Sequence, residues 1–278
     1  MKIGRFTVQE VIFGHFRLDG GCMFGSVPKN LWERSISADP ENCIPLVCRS
    51  LLIRDGQRVI LVDVGMGEKW GEKQRKIFAV NNTPAEQLGF KPEEVTDVIL
   101  THLHFDHAGG ITRYNSDHEP QLSYPQARIH LQDANWNHAR NPTPKDRASY
   151  LPENILPLQG AMLTLYPGDA EIVPGLWVHR VDGHTPGQQW IEIRDGGQSL
   201  FFATDLIPTS HHIPLAYHMG YDVCAATLLD EKHAFLKRAA RESALLCFQH
   251  DRDVALARLT TDERGQVTIS HTESQVTS

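Results

Sequence analysis

Thr101-His102-Leu103-His104-Phe105-Asp106-His107-Ala108-Gly109-Gly110 sets three imidazoles and a carboxylate within six residues and closes on paired glycines. Neutral imidazole nitrogen and carboxylate oxygen are ligands for zinc and other borderline divalent ions. Alternate residues at a strand end point the same way, so His102 and His104 can grip one ion. Asp106 and His107, where the chain turns, reach toward a second. The apolar run from Val95 to Leu100 reads as a short buried strand before the motif, and Gly109-Gly110 as backbone that turns sharply after it. A strand's C-terminal end is where α/β proteins place active-site loops.

Three later segments repeat the logic. Val181-Asp182-Gly183-His184-Thr185-Pro186-Gly187 sets a histidine among turn-forming residues after the strand-like Leu176–Val181. Leu200-Phe201-Phe202-Ala203-Thr204-Asp205 delivers one carboxylate at the end of an apolar run, and Ala244-Leu245-Leu246-Cys247-Phe248-Gln249-His250 one more histidine. Upstream, 46–53 and 58–63 flank Asp55-Gly56 as a hairpin. Strand pattern covers 3–16 with a break near Gly14, and helical pattern covers 68–80, 83–88, where Thr83-Pro84-Ala85-Glu86 resembles a capped start, and 225–242. Strands follow near 176–181, 189–194 and 199–203. Two β-rich halves, each covered by helices, with metals where the sheets meet, are expected. Residues 136–160, interrupted by Pro142, Pro144, Pro152 and Pro157, read as an inserted loop, either a lid or dimer contact or a solvated connection. The polar tail beyond Ser270 is expected to fray.

Composition is that of a globular enzyme. The 278 residues, 41% of them hydrophobic, can bury a substantial core and are read as one domain spanning 1–278. A net charge of -7 without a basic tract argues against nucleic acid as a partner. No segment has the uninterrupted apolar length of a membrane span, and the first ten residues lack the apolar core of a signal peptide, so a cytoplasmic location is expected. Five cysteines with no Cys-x-x-Cys pair support neither a disulfide framework nor a thiolate site, and Cys22 is read as a packing residue. No Gly-x-Ser-x-Gly elbow is present to suggest a serine hydrolase.

The order His-x-His-x-Asp-His, Gly-His-Thr-Pro-Gly, strand-end Asp and strand-end His resembles the metallo-β-lactamase superfamily over most of the chain. Leu61-Val62-Asp63-Val64-Gly65 is similar to the superfamily's early Asp-x-Gly turn, whose aspartate buttresses the metal loop. The resemblance implies an α/β fold, a four-layer αββα sandwich. It also implies two divalent ions, zinc by default, with manganese, cobalt or iron accepted by the same ligands. His102, His104 and His184 would hold the first ion, Asp106, His107 and His250 the second, and Asp205 would bridge them. Leu18-Asp19-Gly20-Gly21-Cys22-Met23-Phe24-Gly25 with Leu31-Trp32 resembles the N-terminal loop of bacterial N-acyl-homoserine lactonases and related esterases. The reaction implied is attack of a metal-bridging hydroxide on a lactone or ester carbonyl.

Asp106 and Tyr217 are the candidate catalytic side chains, and Met23, Phe24, Tyr217 and Tyr221 the candidate substrate contacts. Both tyrosines lie further beyond Asp205 than the corresponding tyrosine of the lactonases resembled. His211, His212 and His218 read as surface or structural histidines. The implied partner is a small lactone or ester, and a homodimer is compatible with the N-terminal strands. An arylesterase or phosphotriesterase of the same fold is the nearest alternative. A non-catalytic metal binder is disfavoured by the complete set of costly buried ligands.

Overall fold

The computed structural model describes residues 1–276. One eight-stranded sheet runs from edge to edge through Lys2–Ile3, Phe6–Asp19, Cys43–Arg54, Val59–Val62, Asp97–Ile99, Arg128–Gln132 and Leu163–Tyr166, with Asn81–Asn82 added onto Phe6–Asp19. A seven-stranded sheet follows in simple chain order, from Ala170–Val173 through Leu176–Val181, Gln188–Asp195, Gln198–Phe202, Leu245–Cys247 and Leu256–Thr261 to Val267–Glu273.

The side-chain alternation of these strands explains the layering. On Cys43–Arg54, Leu51 and Ile53 face the second sheet and pack with Ile191, Ile193, Leu200 and Phe202. Their neighbour Leu52 points the other way, joining Leu61, Leu100 and Leu131 beneath Trp136, Ile155 and Leu158. In the second sheet Trp190, Phe201 and Leu246 likewise turn outward onto the helix Ala225–Arg241. Strands buried on both faces read as continuous apolar runs, as these do. Along the helix, Leu228, Phe235, Leu236 and Ala239 recur at helical spacing and form its buried stripe. The result is helix, sheet, sheet, helix: the expected four-layer sandwich.

Val59–Val62, Asp97–Ile99 and Arg128–Gln132 are parallel, as are Gln198–Phe202 and Leu245–Cys247. Parallel strands end at a common edge, so the segments bearing Asp63, the 101–107 motif, Asp205 and His250 emerge side by side. No helix among the described residues is long and apolar enough to cross a membrane.

Several local expectations are corrected. The segment 83–88 forms only the single 3-10 turn Ala85–Gln87, without a side-chain cap, before Gly89 at φ +79 ends it. The helix expected at 68–80 shortens to Glu72–Phe78, with Ala79 in the left-handed region. The break near Gly14 is a bulge between Ile12 and Gly14 within one continuous strand. The tail does not fray where expected: the last strand runs to Glu273, and Val276 is buried with its N–H donated to Glu10 Oε2 at 3.2 Å. Residues 136–160, read as a proline-interrupted loop, carry short helical segments. They complete the helix Asp133–Arg140 and form the short helices Arg147–Ser149, Pro152–Ile155 and Leu156–Gly160.

Candidate metal centre

Asp63 organises the centre. Its backbone sits at φ +56, directing the carboxylate under the motif. Oδ1 accepts from the Thr101 amide at 2.8 Å, and Oδ2 from Thr101 Oγ1 at 2.7 Å, His107 Nδ1 at 2.9 Å and Gln249 Nε2 at 2.6 Å. This is the buttress that the Asp-x-Gly resemblance implied. Gly109 and Gly110 serve close approach rather than a sharp turn. They lie in a 3-10 turn where an added Cβ would stand 2.1 Å from the Met66 carbonyl oxygen and 2.2 Å from that of Val64, respectively.

The hydrogen bonds on the far side of His102, His107, His184 and His250 fix which nitrogen of each is bare. His184 Nδ1 faces Asp222 Oδ1 at 2.8 Å, His250 Nδ1 the Val47 carbonyl at 2.8 Å, and His107 Nδ1 Asp63. These partners only accept, so each Nδ1 carries the proton and each Nε2 a free lone pair. Thr101 Oγ1 spends its proton on Asp63 and so accepts from His102 Nδ1 at 3.1 Å, leaving His102 Nε2 bare as well. Those lone pairs converge. His102 Nε2 and His184 Nε2 lie 3.0 and 3.2 Å from His104 Nδ1, and His107 Nε2 lies 3.2 Å from His250 Nε2. Asp205 reaches both groups, with Oδ2 at 3.2 Å from His184 Nε2 and 3.4 Å from His107 Nε2, and Oδ1 at 3.0 Å from His250 Nε2. Asp106 Oδ2 stands 3.7 Å from both His107 Nε2 and His250 Nε2.

All seven residues are buried, and they form three groups whose candidate ligand atoms lie within 4.8 Å of one another: His102, His104 and His184; His102, His107 and Asp205; Asp106, His107 and His250. Lone pairs and carboxylates at this spacing repel unless a cation lies among them. Asp205 sharpens the point, because its Oδ1 is buried without a hydrogen-bond partner. Burial and the neighbouring imidazoles push His102 and His104 well below the usual histidine range, the neutral form that ligation needs. The donor set fits divalent metal.

A search against protein-family models matches the metallo-beta-lactamase superfamily over residues 43–255. The chain belongs to the metallo-β-lactamase superfamily. Among curated relatives, an N-acyl homoserine lactonase of Bacillus cereus is 29% identical over 185 residues, 59% of this chain and 65% of that protein. The chain therefore spans just under two thirds of that relative's length. A probable metal-dependent hydrolase from Staphylococcus aureus superposes with a TM-score of 0.91 at 26% identity, covering 100% of both chains. AidC, a dizinc quorum-quenching lactonase solved with a product, superposes with a TM-score of 0.81 over 100% of this chain and 97% of its own. At 19% identity that likeness speaks to the fold.

Beside the candidate ligands of this superfamily member opens a cavity of about 240 Å³, lined by Met23 and Tyr221 with Leu18, Leu46, Phe105 and Met219. Phe24 and Tyr217 do not line it. Phe24 is fully buried, stacked between Trp32 at 5.1 Å and His212 at 4.7 Å, and Tyr217 stands edge-on to Phe24 at 6.1 Å. Three aromatic partners hold Phe24 in the core, which no pattern local to 20–25 shows. Cys22 is exposed, not packed. His212 is a structural histidine, its ring bonded to Thr209 Oγ1 at 2.7 Å and to the Met23 carbonyl at 2.8 Å.

Asp222 is the functional residue that sequence reasoning misses. It is buried and, besides His184, accepts from the Met219 amide at 2.7 Å. It lies in a loop with no apolar periodicity to mark it. Asp222→Ala is expected to weaken metal affinity about 10- to 100-fold while the fold survives, because outer partners orient ligating imidazoles. Competition with a chelator, alongside a melting curve, checks this; unchanged affinity would show that His184 is held by other means.

Proposed function

We propose that this chain is a dinuclear metal-dependent hydrolase that opens lactone rings, N-acyl-homoserine lactones foremost. The observation that carries the reading is Asp205, one carboxylate reaching two groups of bare imidazole nitrogens at the floor of an apolar cavity. The Bacillus cereus relative, named an N-acyl homoserine lactonase, supports the substrate class. His102, His104 and His184 would hold one ion and Asp106, His107 and His250 the other, with Asp205 between them and zinc the default metal. Two ions so held supply a Lewis acid for the carbonyl and a water acidified toward neutrality.

The chain's own residues bind and orient. Leu18, Met23, Leu46, Phe105 and Met219 form a wall that receives an acyl chain and keeps water from it. Tyr221 supplies a donor. Burial, with Cys22 and Asp19 beside it, raises its phenol above the ordinary value, so it stays protonated at neutral pH and can donate to a substrate oxygen. Tyr221 thus takes the role that the sequence assigned first to Tyr217.

The test uses metal-quantified protein on a panel of acyl-homoserine lactones, simple lactones, a thioester and a phosphotriester. Lactone opening well above the other reactions, and lost in His107→Ala, is expected. Dominant phosphotriester or plain ester turnover would replace the lactonase reading with one of the related hydrolases.

A further inference from the structure

Residues 141–151 supply part of the cavity wall through Lys145, Ala148 and Ser149. The segment is pinned at two points. Asp146, buried, accepts from His138 Nε2 at 2.6 Å and Thr143 Oγ1 at 2.6 Å. Tyr150, also buried, bonds Thr185 Oγ1 at 2.6 Å, beside His184. Next to the first anchor, Lys145 Nζ reaches across to the Gly220 carbonyl at 2.6 Å, while the Gly220 amide donates to the Cys22 carbonyl at 2.7 Å. The Gly220 peptide is therefore a joint at which three walls of the cavity meet: the N-terminal loop, the loop bearing Met219 and Tyr221, and the 141–151 segment.

Among the described residues, Lys145 is the only lysine or arginine lining this cavity. An ammonium has three donors, and the Gly220 carbonyl takes one. The Lys145 side chain is exposed, so its remaining donors and its charge stay available at the mouth, while the candidate ligands occupy the floor. The wall between floor and mouth is apolar. That arrangement suits an amphiphilic acyl group whose far end is anionic, because a charge-assisted hydrogen bond is roughly twice as strong as a neutral one.

We propose that Lys145 determines specificity by binding a carboxylate at the far end of the substrate's acyl chain, so that ω-carboxyacyl lactones are preferred over their methyl-terminated counterparts. The inference rests on the lactone reading above and extends it to the chemical class of the acyl group.

The test is calorimetric titration of the metal-loaded full chain with two acyl-homoserine lactams of equal length, one ending in methyl and one in carboxylate. Lactams resist ring opening, so the readout is binding rather than turnover. The wild type should bind the carboxylated lactam about fivefold more tightly at low salt, the scale of a part-exposed ion pair. The preference should shrink at about 0.5 M salt through screening. Lys145→Met should abolish the preference, whatever loss of the Gly220 contact does to the binding of both lactams, and Lys145→Arg should keep it.

Equal binding of the two lactams by the wild type overturns the proposal. So does a preference that survives Lys145→Met, which would place the carboxylate on the metals. Equal weakening of both lactams in Lys145→Met would also overturn it, reducing Lys145 to a strut for Gly220. Failure of the lactone reading looks different, because the neutral lactam then does not bind at all, and the Lys145 inference falls with it.

Discussion

Replacing Asp205 with asparagine is expected to reduce hydrolysis about 10³-fold, equivalent to about 4 kcal/mol of transition-state stabilisation. The carboxylate lies within 3.0–3.4 Å of Nε2 atoms from His184, His107 and His250, so it serves both candidate ion groups at once. Asparagine keeps the shape and removes the charge. Each group would still have imidazole ligands, but the negative charge that offsets two closely spaced cations would be gone. Metal content should therefore fall from two ions per chain toward one, measured by elemental analysis beside the rate. Full activity with two ions retained would show that Asp205 does not bridge and would withdraw the dinuclear assignment.

Gly109→Ala should be strongly destabilising. Its Cβ would stand 2.1 Å from the Met66 carbonyl oxygen and 2.4 Å from the carbonyl carbon, both backbone atoms. Neighbouring contacts leave little room for relief. The Gly109 carbonyl accepts from Lys69 Nζ at 2.6 Å, and the Gly110 amide donates to the Gly65 carbonyl at 3.1 Å. The backbone that carries Asp106 and His107 would have to shift away from the 63–67 turn and from Asp63. A loss of about 3–5 kcal/mol is expected, the upper range for overpacking, or about 10 °C in melting temperature for a chain of this size. Gly160→Ala, where nothing lies within 4 Å of the new Cβ, is the control and should change stability by less than about 0.5 kcal/mol. Equal melting temperatures for the two variants would mean that the 109 turn yields where its packing says it cannot.

The candidate ligands were legible because each follows an apolar run that folds as a buried strand. Leu200–Phe202 leads to Asp205 and Leu245–Cys247 to His250, and both runs alternate between the inter-sheet core and the helical layer. The substrate wall was less legible. Met23 and Phe24 are adjacent and both apolar, yet Met23 lines the cavity while Phe24 is locked between Trp32 and His212. Residues 136–160 looked like a proline-interrupted insertion, but Asp146 and Tyr150 bind them to the body of the protein and make Lys145 and Ser149 part of the site.

The sequence by itself determined the candidate ligand set: imidazoles and carboxylates in a fixed order, each behind a strand whose burial follows from its own composition and period of two. Only the tertiary structure decided which nitrogen of His107, His184 and His250 is bare, because that depends on Asp63, Asp222 and the Val47 carbonyl, acceptors from other segments of the chain. It also decided what surrounds the candidate ligands. Alternation along a strand is a local property, readable from neighbours. The destination of a loop side chain is set by partners far away in sequence, as with Lys145 and Gly220, and no local pattern encodes that meeting.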